Sequence, residues 1–342
     1  MATAIPVVCL TGYLGAGKTT LLNYVLRSPG ARIGVIINDF GELNVDAMLV
    51  AGQVDEPVSI AGGCICCMPD DGAIDVALAK LADPRLNLDA VIVEASGLAD
   101  PLIVARIIGF SRVAGLRYGG VVDVVDAVTH FDIVDNGQVL PARYRAASLV
   151  VVNKLDQLPS GERAAMVERV EQRVREQNSR ASVVGAVGGQ IDSRLLYDVG
   201  GSGDEPGQLS LRELLVDDTG VAHDDHDHVH ADSVTVTSDG DLDPGALIDL
   251  LEDPPAGVYR LKGFVKMQYG RATSTLAVNL VGPTIHIANA PRGATANFLV
   301  AIGMHLDTEE VRARLDAALQ PCTGPATLAN IHRLRRYRRH SL

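Results

Sequence analysis

Short runs of Val and Ile recur through the first half of the chain, separated by stretches in which apolar residues return every three or four positions. The runs Pro6–Leu10, Ile33–Asn38, Ala90–Glu94, Gly120–Val125, Leu149–Asn153 and Ser182–Val187 predict strands. Several are apolar throughout, as strands covered on both faces are. Between them, Lys18–Arg27 and Arg163–Gln177 predict helices, the second placing Val167, Val170 and Val174 on one face. Alternation of this kind implies the α/β class, with a mostly parallel, doubly wound sheet over residues 1–200.

The pattern changes near residue 200. Residues 201–232 are rich in Gly, Asp and His and predict a linker. Beyond it, Ser233–Thr237, Val258–Met267, Thr273–Leu280 and Thr284–Ala288 predict strands, and Pro244–Leu251 and Thr308–Leu319 predict helices. Neighbouring strands joined by short turns imply a smaller C-terminal α+β domain over 233–338. The length of 342 residues, above the roughly 100 to 200 of a single domain, fits two domains.

Composition narrows the class. The chain is 47% hydrophobic and 21% charged and has no Trp, which describes a packed globular protein. A net charge of −12 argues against nucleic acid as partner, because phosphate backbones need compensating cations. The basic cluster Arg333, Arg335, Arg336, Arg338 and Arg339 predicts a solvated tail. No apolar run reaches the roughly 18 residues of a membrane span, and the apolar start is too short for a signal peptide. A cytoplasmic protein with no membrane partner is expected. In a reducing compartment, five cysteines point to metal or redox chemistry more than to disulfides.

Gly12-Tyr-Leu-Gly15-Ala16-Gly17-Lys18-Thr19 follows a predicted strand and opens a predicted helix, the setting a phosphate-binding loop requires. The fold expected is therefore that of a P-loop NTPase. Gly12, Gly15, Ala16 and Gly17 let backbone N–H groups turn toward phosphate oxygens, and the helix start at Thr19 and Thr20 adds positive potential. Lys18 reaches the β/γ-phosphates and Thr19 ligates Mg²⁺. Glu94, at a strand end, can hold or polarise the Mg²⁺ shell, and Gly97 can approach the γ-phosphate. Asp39, in Asn38-Asp39-Phe40-Gly41-Glu42, sits where a switch segment meets Mg²⁺ and phosphate. Lys18, Thr19 and Glu94 are the catalytic candidates.

Asn153-Lys154-Leu155-Asp156 closes a later strand and reads the base. Asp156 can accept two hydrogen bonds from guanine, whereas adenine would oppose it with an acceptor, so GTP is the nucleotide expected. Asn153 is expected to face guanine O6/N7 and the Lys154 stem to cover the base plane.

Gly62-Gly63-Cys64-Ile65-Cys66-Cys67 places three thiols within four residues. In extended chain Cys64 and Cys66 project to one side and can grip one ion at about 2.3 Å, with Cys67 joining if the backbone bends. Three ligands leave a position open, which suits an ion that must be released. A redox pair between Cys64 and Cys67, a strained Cys66–Cys67 bridge and simple core cysteines are the competing readings. Soft thiolates suit Zn²⁺ and Co²⁺ alike. Cys9 and Cys322 are isolated and read as ordinary cysteines. The tract His223-Asp-Asp-His226-Asp-His228-Val-His230 can hold transition ions weakly, or is a polar linker.

Taken together, GYLGAGKTT, NDFGE, GGCICC, EASGLADP, NKLD and YRLKGFV resemble the CobW family of P-loop GTPases over nearly the whole chain. The resemblance implies a GTPase domain, a His-rich linker and a C-terminal α/β domain, with GTP hydrolysis coupled to delivery of zinc, cobalt or iron to a client metalloprotein. Some members of that family carry a Glu that serves as a metal ligand where this chain has Ile37. A fourth ligand then has to come from Asp39, Glu42, water or a client residue. The chain is expected to act as a monomer or as a homodimer formed with nucleotide or metal. Two readings compete: a metal sensor or storage protein with a structural nucleotide site, and a P-loop small-molecule kinase or chelatase subunit.

Overall fold

The computed structural model describes residues 4–27, 31–37, 50–51, 72–95, 101–111, 113–135, 142–197, 231–269, 272–291, 293–294, 297–322 and 327–338. They fall into two compact units, residues 4–197 and residues 231–338, each with its own sheet.

In the first unit the strands are β1 (Ile5–Gly12), β2 (Ile33–Ile37), β3 (Val50–Ala51), β4 (Ala90–Glu94), β5 (Leu116–Asp126), β6 (Leu149–Asn153) and β7 (Ser182–Gly185), in the order β3-β2-β4-β1-β5-β6-β7. All neighbours run parallel except the two-residue edge strand β3. The helices are α1 (Lys18–Leu26), α2 (Gly72–Leu81), α3 (Pro101–Phe110), α4 (His130–Asp135), α5 (Ala142–Ala146) and α6 (Ser160–Arg175). Every residue of β4 and β6 is buried, as expected of strands with helices on both faces. Leu78 and Leu81 of α2 and Val104 of α3 pack with Val7, Val91 and Val121, while Val170 and Val174 of α6 pack with Val150 and Val152. The helix predicted at Arg163 begins at Ser160, and Val167 is only partly buried beside Val170 and Val174. The chain leaves β1 for β2 on one side, and β4 crosses to β5 on the other. The carboxyl end of β1 therefore lies where the winding changes direction, the place where such sheets bind ligands.

The second unit contains β8 (Asp232–Ser238), α7 (Pro244–Glu252), β9 (Val258–Tyr269), β10 (Ala272–Val281), β11 (Thr284–Asn289), β12 (Asn297–Gly303), α8 (Thr308–Ala318) and α9 (Leu328–Tyr337). Its antiparallel sheet has the order β11-β10-β9-β12-β8. Leu247 and Leu251, Leu315 and Leu334 from the three helices close over Val236, Leu261, Val265, Leu276 and Leu299. Asp243, Asp307 and Thr327 cap the helix starts by accepting backbone N–H bonds.

The basic cluster predicted as a solvated tail is, up to Arg338, largely the helix α9. Ile331 and Leu334 are buried one turn apart, and Arg333 pairs with Asp249 at 2.8 Å and Glu252 at 2.7 Å on α7. The density of arginines concealed the apolar pair that ties this helix down. Among the described residues, no helix is long and apolar enough to cross a membrane.

Candidate functional site

The phosphate loop leaves β1 at Gly12 and enters α1 at Lys18. Gly15 and Gly17 adopt φ of +80° and +100°, which L side chains resist. At Gly17 a Cβ would also stand 2.2 Å from the Asn153 amide nitrogen, so glycine is needed there for space as well. The Tyr13 carbonyl accepts the Ala16 N–H at 3.1 Å and closes the turn. Lys18 is 8% exposed as a residue, and its ammonium donates to the carbonyls of Gly12 at 3.0 Å and Tyr13 at 3.3 Å. Its stem is therefore folded under the loop, with the ammonium at the turn where phosphates would sit. Thr19 and Thr20, in the first turn of α1, are exposed.

The Thr19 hydroxyl donates to Glu94 Oε1 at 3.1 Å. Glu94 is buried at the carboxyl end of β4 and lies beside Leu10 on one side and Ile37 on the other. A hydroxyl and a carboxylate oxygen brought together at the phosphate loop are ligands of the kind Mg²⁺ takes, so this pair fits that ion.

Asn153 ends β6 and is buried. Its amide NH₂ donates to the Ala16 carbonyl at 3.1 Å, and its Oδ1 accepts the Gly189 N–H at 2.9 Å. It thus ties the phosphate loop to the turn after β7. A Cβ on Gly189 would come within 2.6 Å of the Leu21 backbone nitrogen, which shows how closely that turn lies on α1. Lys154 adopts φ +63° and its ammonium donates to Asp126 Oδ2 at 2.7 Å. Burial raises the Asp126 carboxyl, but the Lys154 bond and the N–H groups of Val128 and Thr129 outweigh it, and the group lies below its ordinary value. Asp156, in the short 3-10 turn that follows, is exposed.

Three further residues stand behind the loop. Asp123 of β5, opposite Thr11 in register, accepts the Thr11 hydroxyl at 2.8 Å. Arg143 of α5 approaches the same carboxylate oxygen at 3.7 Å and lies 4.2 Å from the Tyr13 ring centroid. Burial pushes the Asp123 carboxyl up, opposed by Arg143, the Thr11 hydrogen bond and Lys18. Burial, with Asp123 nearby, likewise pushes the Cys9 thiol above its usual range, which keeps it a neutral core cysteine.

Lys18, Thr19, Glu94, Ala16 and Asn153 are thus brought into one hydrogen-bonded neighbourhood. Asp39, Gly97, Cys64, Cys66, Cys67 and the tract His223–His230 lie outside the described residues. The sequence reading did not single out Gly189, Asp123 or Arg143. The doublet Gly188-Gly189 was a visible turn signal, but Asp123 and Arg143 carried none.

Residues 6–185 match the family model described as "CobW/HypB/UreG, nucleotide-binding domain", and residues 231–319 match "Cobalamin synthesis protein cobW C-terminal domain". The chain is 31% identical to the zinc chaperone CobW of Sinorhizobium sp over 92% of its own length and 97% of that protein's. It is 32% identical to the zinc chaperone YjiA of Escherichia coli (strain K12) over 58% of its own length and 62% of that protein's. The crystal structure of Zn(II)-bound YjiA GTPase from E. coli aligns over 93% of this chain and all of that one, with 24% identity and a TM-score of 0.43. The chain belongs to the CobW/HypB/UreG family and is a P-loop GTPase followed by a CobW C-terminal domain.

Proposed function

We propose that this protein hydrolyses GTP to set when a transition metal, zinc in the first place, is held on Cys64, Cys66 and Cys67 and when it passes to a client protein. Relatives named as zinc chaperones support the metal. The thiols suit zinc by chemistry, and with no more than three of them the site keeps a position open for transfer.

The contact that carries the reading is the one between Thr19 and Glu94. Mg²⁺ held by these two residues would neutralise charge on the β/γ oxygens. Lys18 adds a second cation at the same oxygens, and Asp156 selects guanine. Water forms a bond to the γ-phosphorus while the bond to the β–γ bridging oxygen breaks, leaving GDP and phosphate.

The same contact suggests how nucleotide reaches the metal. Ile37, the last described residue of β2, pairs in register with Glu94, and Asn38–Glu42 come next in the sequence. The thiol segment follows before α2. A γ-phosphate that orders the first segment can order the second, and hydrolysis then loosens the thiolate site. Nucleotide shifts that balance only through contacts that differ between the two states.

Zinc competition assays on two variants test the assignment. Cys66→Ala is expected to lose zinc binding in the GTP state while still releasing phosphate, and Lys18→Ala is expected to lose hydrolysis while keeping zinc binding in the absence of nucleotide. Unchanged zinc affinity in Cys66→Ala would remove the metal site from the thiol segment.

A further inference from the structure

Thr11, Asp123, Arg143 and Tyr13 form a continuous chain of side chains beneath the phosphate loop. The Thr11 hydroxyl donates to Asp123 Oδ1 at 2.8 Å, Arg143 Nη1 stands 3.7 Å from that oxygen, and the guanidinium faces the Tyr13 ring at 4.2 Å. Asp123 is fully buried and Arg143 is 5% exposed. Among the described residues, neither Asp123 Oδ2 nor Arg143 Nη1 makes a hydrogen bond. Two charges withdrawn from water with incomplete hydrogen bonding are a poor stabilising device, and an apolar pair of similar volume would serve the core as well. The pair therefore calls for another role.

Tyr13 supplies that role. Its carbonyl is one of the two that hold the Lys18 ammonium, and its ring is the surface on which Arg143 rests. One residue thus separates the buried guanidinium from the lysine that meets the phosphates. We propose that Arg143, held by Asp123, is a positioning residue for GTP binding at this site: it pins the Tyr13 ring so that the Gly12 and Tyr13 carbonyls keep Lys18 aimed before nucleotide arrives. The inference rests on the GTPase activity of the site.

A pin of this kind contributes preorganisation. Once triphosphate is bound it orders the loop itself, so loss of the pin costs binding and leaves the chemical step alone. For Arg143→Gln the expected result is a KM for GTP raised about three- to thirtyfold, the span of a partly desolvated cation–π contact, with kcat within about twofold. Because Arg143→Gln strands the Asp123 charge, the neutral pair Asp123→Asn with Arg143→Gln is measured beside it and is expected to show the same split.

The decisive readout is the background dependence. The effect of Arg143→Gln should be of the same size in Tyr13→Phe protein, which keeps the ring face, and should vanish in Tyr13→Leu protein, which lacks it. An equal effect in the Tyr13→Leu background, a fall in kcat at fixed KM, or a lowered melting temperature with unchanged kinetics would each overturn the proposal. Equilibrium affinity for GTP is followed in parallel. A parent protein that binds GTP and releases no phosphate would defeat the hydrolytic reading, while the affinity change would still decide the role of Arg143.

Discussion

The Thr19 hydroxyl lies 3.1 Å from Glu94 Oε1 and joins the first turn of α1 to the end of β4. Two residues 75 positions apart in sequence thus bring a hydroxyl and a carboxylate oxygen to one point. Thr19→Ala and Glu94→Gln are each expected to lower kcat for phosphate release by on the order of a hundredfold, the loss that follows removal of one preorganised group at a developing charge. Excess Mg²⁺ should recover part of the Thr19→Ala loss. Rates measured across Mg²⁺ concentrations check this, and undiminished turnover in Glu94→Gln would contradict it.

Asn153 bonds at both ends of its amide, to Ala16 and to Gly189. Asn153→Ala leaves a carbonyl and an N–H without their partner, at about 1–3 kcal/mol for each buried group that stays unsatisfied. Denaturant unfolding should show that loss, and GTP affinity should fall with it. Gly17→Ala is expected to be worse for affinity, because its Cβ meets the Asn153 amide nitrogen at 2.2 Å and its φ is +100°. Wild-type affinity in Gly17→Ala would show that the loop reshapes freely.

Asp156 stands exposed in the short turn that follows β6. Asp156→Asn replaces an acceptor pair with one acceptor and one donor, so guanine loses a bond and meets a repulsive contact. The preference for GTP over ATP should fall by about tenfold or more. Competition of the two nucleotides for the parent and the variant measures it, and an unchanged preference would refute the assignment.

Lys154 and Asp126 couple the turn after β6 to pH. Asp126 has its carboxyl held below the ordinary 3.8, so its contribution is complete above that value and is lost as pH falls through the lower folded one. Asp126→Asn should be less stable than the parent at neutral pH, by a gap that narrows below about pH 4. Urea midpoints across that window test the sign; a gap that widens on acidification would reverse it.

What could be seen in the sequence was what depends on neighbours along the chain. The strand runs, the glycines of Gly12–Thr19 and the Asn153–Asp156 turn act through local spacing, and the structure brings Asn153 against Ala16 of the phosphate loop. The Arg143–Tyr13 and Asn153–Gly189 contacts join residues that no periodicity relates, so they emerged only with the sheet order. The helix α9 was hidden for a different reason. Its charge outweighed the apolar pair Ile331 and Leu334, whose spacing is helical but whose number is small.

The central claim is that nucleotide state and metal affinity are linked, and titrating zinc into GTP-loaded and GDP-loaded protein tests it most directly. Zinc should bind the GTP form at least about fivefold more tightly, and zinc should raise GTP affinity relative to GDP by the same factor. Equal zinc affinities in the two nucleotide states would contradict the account.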